Sequence, residues 1–198
     1  FPQLFGLDPA GTGGTAEIQT HLLFPIDENL EKEQVQVQVE ASIQDGIFPT
    51  PISDWDLVKG HLNLTVNNQE LTLSGTGMIT DLLIDLNWRE SFIAKKAEDI
   101  QSVYEIKSKI RPEQLSIFGR HMDDYFEGVA NLAAKITVKS SGNLVGEVNA
   151  DLKDMGITLY PISTTKELGA PAKITGNVKY NSKAKNGDFS YSLTGSTK

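Results

Sequence analysis

His21, His61 and His121 are the first residues to test for chemistry, as metal ligands or general bases. None has a second donor at ligand spacing and the chain has no cysteine, so they are read as surface or strand-edge residues. The run HMDDYFE offers Asp123, Asp124 and Glu127 as oxygen ligands, but it lacks the alternating acids of a calcium loop and reads as a solvated connector. GTGGT, from Gly11 to Thr15, has no Lys-Ser/Thr after it, so it is a turn entering a strand and not a phosphate cradle. No nucleophile elbow, Ser/His/Asp arrangement or close carboxylate pair stands in the chain, and no enzyme activity, metal or cofactor is expected. Trp55, in SDWDL, is expected to pack over a strand end. Asn63-Leu64-Thr65 matches a glycosylation sequon, but it falls inside a strand and would matter only in a eukaryotic secretory pathway.

The chemistry must then lie in the apolar residues, and their spacing is regular. In VQVQVEASI, residues Val35, Val37, Val39, Ala41 and Ile43 alternate with polar ones, so a strand puts all five on one side. HLNLTV does the same with Leu62, Leu64 and Val66. Asn67 and Asn68 supply turn chemistry, and ELTLS returns with Leu71 and Leu73, a hairpin pattern. DLLIDLNW aligns Leu82, Ile84, Leu86 and Trp88, and VYEIKSKI aligns Tyr104, Ile106 and Ile110. Later, GVANLAAKITV aligns Ala130, Leu132, Ala134, Ile136 and Val138, and LVGEVNADL aligns Leu144, Val148, Ala150 and Leu152. A last hairpin joins KITGNVKY to DFSYSLT across SKAKNG. RPEQLSIFG is the best helix signal, with Pro112 suited to a first position and Gly119 to a C-cap. The fold class is all-β with at most one or two short helices.

Composition agrees with a folded chain. Of 198 residues 39% are hydrophobic and 22% charged, and the net charge of -8 argues against a nucleic-acid binder, which needs a basic face. No apolar run is long enough to span a bilayer as a helix, and no signal peptide opens the chain. Phe1 in place of an initiator Met is read as the start of a piece of a longer protein.

The chain also matches itself. LFGLDPAGTGGTAEIQTHLLF aligns with IFGRHMDDYFEGVANLAAKITV when Gly14 is set on Gly128, which puts Ala16, Ile18 and Leu22 on Ala130, Leu132 and Ile136. VQVEASIQD aligns with GEVNADLKD, placing Val39, Ala41, Ile43 and Asp45 on Val148, Ala150, Leu152 and Asp154. TPIS then matches YPIS, and LTLSGT matches YSLTGS, in the same order. The expectation is a tandem repeat, residues 1–116 and a truncated 117–198, within one continuous sheet. Repeats of this kind stack in one dimension, each unit touching its neighbours, so elongation is expected.

LDPAGTGG at the start, FPI at Phe24–Ile26, NWRESF at Asn87–Phe92, Phe118-Gly119, and NADLKDMGI followed by KELGAPAKI carry a family resemblance. The chain resembles the AsmA-like superfamily of Gram-negative envelope proteins, in particular its YhdP-type, TamB-related branch. The resemblance implies a long protein anchored in the inner membrane by a helix that this sequence lacks, with a periplasmic body shaped as a β-groove. It further implies phospholipid transport, with acyl chains held in the groove between inner and outer membranes. This chain would be an interior section, its neighbours being further repeats of the same parent.

An elongated, twisted antiparallel sheet curled into an open apolar groove is therefore expected. Its lining is assigned to Val35, Val37, Val39, Ile43, Leu62, Leu64, Val66, Leu71, Leu73, Leu82, Ile84, Leu86, Ile106, Leu132, Ile136, Val138, Val148 and Leu152. About a dozen strands at about 4.8 Å each would give a path on the order of 55 to 60 Å. Two alternatives stand beside this. The stripes could be the core of a β-sandwich, or the apolar face and sheet edges could grip a partner protein in envelope assembly. The isolated piece is also expected to be able to pair with a second copy through its edges.

Overall fold

The Asn67-Asn68 turn folds as its residues require. The Asn67 side-chain oxygen accepts from the backbone N–H of Gln69 at 2.7 Å and of Glu70 at 3.0 Å, which closes the turn between strands β3 (Leu57–Asn67) and β4 (Glu70–Ile79). Asn68 reaches back to the neighbouring strand β2 (Gln36–Phe48), accepting from Val37 N–H at 2.7 Å and donating to Val35 carbonyl at 2.6 Å. One turn thus pins the register of three strands.

The computed structural model describes residues 11–26, 30–31, 34–48, 56–118, 124–181 and 186–195. Trp55, His121, Asp123, Gly119, the TPIS segment and most of the SKAKNG turn lie outside them. The remaining strands of the main sheet are β1 (Gly13–Leu23), β5 (Leu82–Ser91), β6 (Ile100–Ile110), β8 (Ala130–Lys139), β9 (Asn143–Asp151), β12 (Ala172–Asn181) and β13 (Asn186–Gly195). They form a ten-stranded antiparallel sheet in the order β1-β2-β3-β4-β5-β6-β8-β9-β12-β13, not closed into a barrel. Each strand of this sheet packs against its hydrogen-bonded neighbours, and among the described residues no second sheet faces it strand for strand as a sandwich requires. The chain is all-β. A 3-10 segment, Pro112–Phe118, stands where the helix signal fell.

Ten strands at about 4.8 Å span on the order of 43 Å, shorter than the sequence suggested. The difference lies in β7 (Phe126–Gly128), β10 (Met155–Leu159) and β11 (Thr164–Lys166), which leave the main sheet for a small one in the order β11-β10-β7. The ammonium of buried Lys166 ties this sheet down by donating to the carbonyls of Met155 at 2.7 Å and Glu167 at 3.1 Å.

The break has a counterpart in the first half. Register shifts fall between Gly13 and Thr15, between Ile43 and Gly46, and between Val58 and His61, so one line of bulges crosses β1 to β4. Bulges bend a strand and raise its twist. In the second half the corresponding line separates β7 from β8 and β9 from β10. The glycines at these two places match. Gly14 has φ +110° and Gly128 φ +84°; a Cβ on Gly14 would lie 2.9 Å from the Asp45 carbonyl, and one on Gly128 would collide with the Asp154 carbonyl. Only glycine fits such a backbone at such an approach.

Packing is concentrated in the middle of the sheet. Leu57, Leu62, Leu71, Leu73, Leu82, Ile84, Trp88 and Ile110 bury one another, with Leu115 of the 3-10 segment and Phe92 against them. A smaller cluster of Ala130, Leu152 and Met155 lies where Ile157 and Phe126 of the small sheet cover the end of β9. β6 pairs with β8 along nearly its full length, across the boundary at 116/117. Leu62 is 1% exposed and Leu83, on the opposite face, 61%. Leu62→Ala is expected to cost about 2–5 kcal/mol in denaturant unfolding, and Leu83→Ala to stay within about 0.5 kcal/mol.

Candidate functional site

Cross-strand pairing settles which side chains share a face. From Ile43 the partners run through Leu62, Gly75, Leu86, Ile106, Ala134, Val148 and Gly176. A second lane runs from Ile18 through Ala41, Leu64, Leu73, Trp88, Tyr104, Ile136, Gly146 and Val178. A third takes Val39, Val66, Leu71, Glu90, Ser102, Val138, Leu144 and Tyr180. A fourth joins Ile84, Ser108, Leu132, Ala150 and Ile174. Val37 pairs with Leu22, and Leu82 with Ile79, at opposite ends of the same face. The residues assigned to the lining thus fall on one face, apart from two. Val35 lies just before β2, and Leu152 lies just past β9, sealed beneath the small sheet.

This face is not uniformly open. Its centre, from Leu62 to Trp88, is closed by its own side chains. Its flanks are not: Leu22 is 58% exposed on β1, and Val148 37% and Tyr191 75% toward β13. The alternation that put all of them on one face carries no information on this difference.

Sequence reasoning passed over three polar residues in the lanes, Glu90, Ser102 and Ser108, of which Glu90 carries a charge. Glu90 is 6% exposed and sits two residues from Trp88 on the same side of β5. Its carboxylate accepts from Ser102 Oγ in a short hydrogen bond, from Trp88 Nε1 at 3.3 Å and from Gln101 Nε2 at 3.1 Å. All three donors are neutral, so the site holds a carboxylate without a counter-charge among these contacts. Trp88 stacks on Tyr104 with ring centroids 5.5 Å apart and planes 15° from parallel. Burial, and then the Glu90 charge, push the Tyr104 phenol above its usual 10.0, a hydrogen bond to Ser102 pulling the other way. Period-two spacing alone puts Glu90 on the Trp88 face, so the signal was there in NWRESF.

The opposite face is charged. A cavity of about 840 Å³ is lined there by Asp85, Lys107, Lys109, Asn131, Asp151 and Lys173, together with Leu83 and Ala133. Register sets Asp85 opposite Lys107 and Asp151 opposite Lys173, so the charges balance from strand to strand. Among the described residues no group of His, Asp and Glu could hold a metal ion, and no helix is long and apolar enough to cross a membrane. Comparison with protein-family models, with curated proteins and with solved structures finds no match.

The Tyr104 environment sets a pH dependence. The unfolded phenol ionises at about 10 and the folded one higher, so its contribution to stability is complete below that pH and is lost as pH rises through the folded value. Denaturant unfolding is expected to show this alkaline loss in the wild type and less of it in Tyr104→Phe. In Glu90→Gln, ultraviolet titration of Tyr104 is expected to shift downward.

Proposed function

We propose that this chain is a section of a lipid conduit, in which acyl chains lie along the lanes and cross the strands. The carrying observation is the continuity of the first and second lanes: apolar or glycine positions succeed one another from strand to strand over most of the ten-stranded sheet, on one face. Support also comes from burial. A flat single layer would leave each of these side chains exposed, and mutual burial of Leu62, Leu73 and Trp88 fits a face that curls into a groove. The equal registers of the two halves support a tandem origin. Ile18 faces Ala41 as Leu132 faces Ala150, Ala41 faces Leu64 as Ala150 faces Ile174, and Leu64 faces Leu73 as Ile174 faces Leu193.

The mechanism needs no bond chemistry. Each CH₂ taken out of water gains about 0.8 kcal/mol, and a lane without interruption lets a chain advance without returning that gain. The flanks around Val148 and Leu22 receive lipid directly. The closed centre admits it by exchanging one apolar neighbour for another, so that Leu62 and Leu73 part around the acyl chain. The headgroup rides at the wet margin. Together with the resemblance of the sequence, this supports reading the chain as part of the periplasmic body of an inner-membrane-anchored envelope protein that carries phospholipid.

Native mass spectrometry of the protein purified from bacterial membranes is expected to show bound phospholipid, and a lipid-free species throughout would sink the reading. Val148→Asp is expected to melt like the wild type but to lose most of that lipid. Leu62→Asp is expected not to fold at all, because it buries an unpaired charge.

A further inference from the structure

The internal match shows what β1 lacks. Setting Gly14 on Gly128 places β1 on β8, and the two strands pair alike with the strand that follows each, β2 and β9. On its other edge β8 is covered by β6, whereas the outer edge of β1 has no strand among the described residues. Beyond the bulge at Gly13–Thr15 and the acidic Glu17, β1 carries little edge protection: GGTAEIQTHLL has no Lys and no Pro over eleven residues, and every one of them is exposed.

We infer that the outer edge of β1 is a docking site for the closing strand of another repeat of this kind, a strand with the pattern of β6, bound in the register that β6 takes on β8. Carrying that register across puts the position of Tyr104 beside Leu22, of Glu105 beside His21, of Lys107 beside Gln19 and of Lys109 beside Glu17. The chemistry fits at each place. Leu22 and Ile18, exposed on β1, correspond to Ile136 and Leu132, which are half-buried under β6. At the internal junction Glu105 and Lys135 pair at 2.8 Å. On β1 the counterpart of Lys135 is His21, also a base, while Glu17 replaces Asn131 and gives Lys109 an acidic partner. No like charges meet in this register.

Strand direction agrees as well. Neighbours alternate throughout the sheet, and β6 runs antiparallel to β8, so the same strand type extends the sheet beyond β1 without a change of pattern. The inference rests on register and not on lipid carriage, and it stands whether or not the apolar face holds an acyl chain.

The test uses the intact, lipid-free protein and a synthetic peptide of residues 100–110 as the probe strand. At saturating peptide, hydrogen exchange is expected to slow at β1 amides between Glu17 and Leu22. Glu17→Lys is expected to weaken the peptide about two- to fivefold, and a peptide with Lys109→Glu to recover that loss, as a cross-strand charge pair would. Three results would overturn the inference: no change of exchange at β1, slowing without any effect of Glu17→Lys, or protection of β1 that rises with protein concentration alone as the mass doubles. The last would make a second copy of this chain the occupant.

Discussion

Everything in this fold depends on register. A strand's side chains alternate, so a slip of one residue between any two neighbours would turn a whole lane from one face to the other. Ten strands therefore need nine agreements, and the chain secures them with local devices. Asn67 and Asn68 fix β2, β3 and β4 together. At β6, Ser108 Oγ donates to the Leu83 carbonyl across the strand pair at 2.7 Å. The line of bulges through β1 to β4 takes up the misfit where lanes would otherwise drift apart.

A sheet with one apolar face has a covering problem, and this chain meets it in two ways and leaves part of the face exposed. In the centre, large side chains cover one another, with Trp88 stacked on Tyr104 and Leu115 brought over by the 3-10 segment. At the end of β9 the strands break and fold back as the small sheet, which seals Leu152 and Met155. Toward β1 and β13 the face is exposed among the described residues, Leu22 at 58% and Tyr191 at 75%. Apolar surface left bare to this degree is costly unless something else takes it up.

Much of this was legible in the sequence, for a physical reason. Period-two alternation is a local property, so residues such as Val37, Leu64 and Ile136 could be placed on one face without coordinates. The Asn-Asn turn could be named because its side chains make the hydrogen bonds themselves. What escaped was set by tertiary contact. MGITL and TTK are too short to declare a separate sheet, and Leu152 continues the β9 alternation yet ends up beneath it. Leu62 and Leu22 both sit at regular apolar positions, and only the neighbours that the sheet brings to each distinguish buried from bare. Glu90 was missed through its type, because a carboxylate is assumed to face water.

Glu90 also bears on how a lane can work. An uninterrupted apolar path would be smoother without it, and the three donors that hold its carboxylate are all neutral. What it does hold is geometry: one oxygen takes Ser102 and the Trp88 indole, the other takes Gln101, so β5 and β6 are fastened beside the Trp88–Tyr104 stack. The third lane is thereby closed at Glu90 and Ser102, while the first and second pass from Leu86 to Ile106 and from Trp88 to Tyr104.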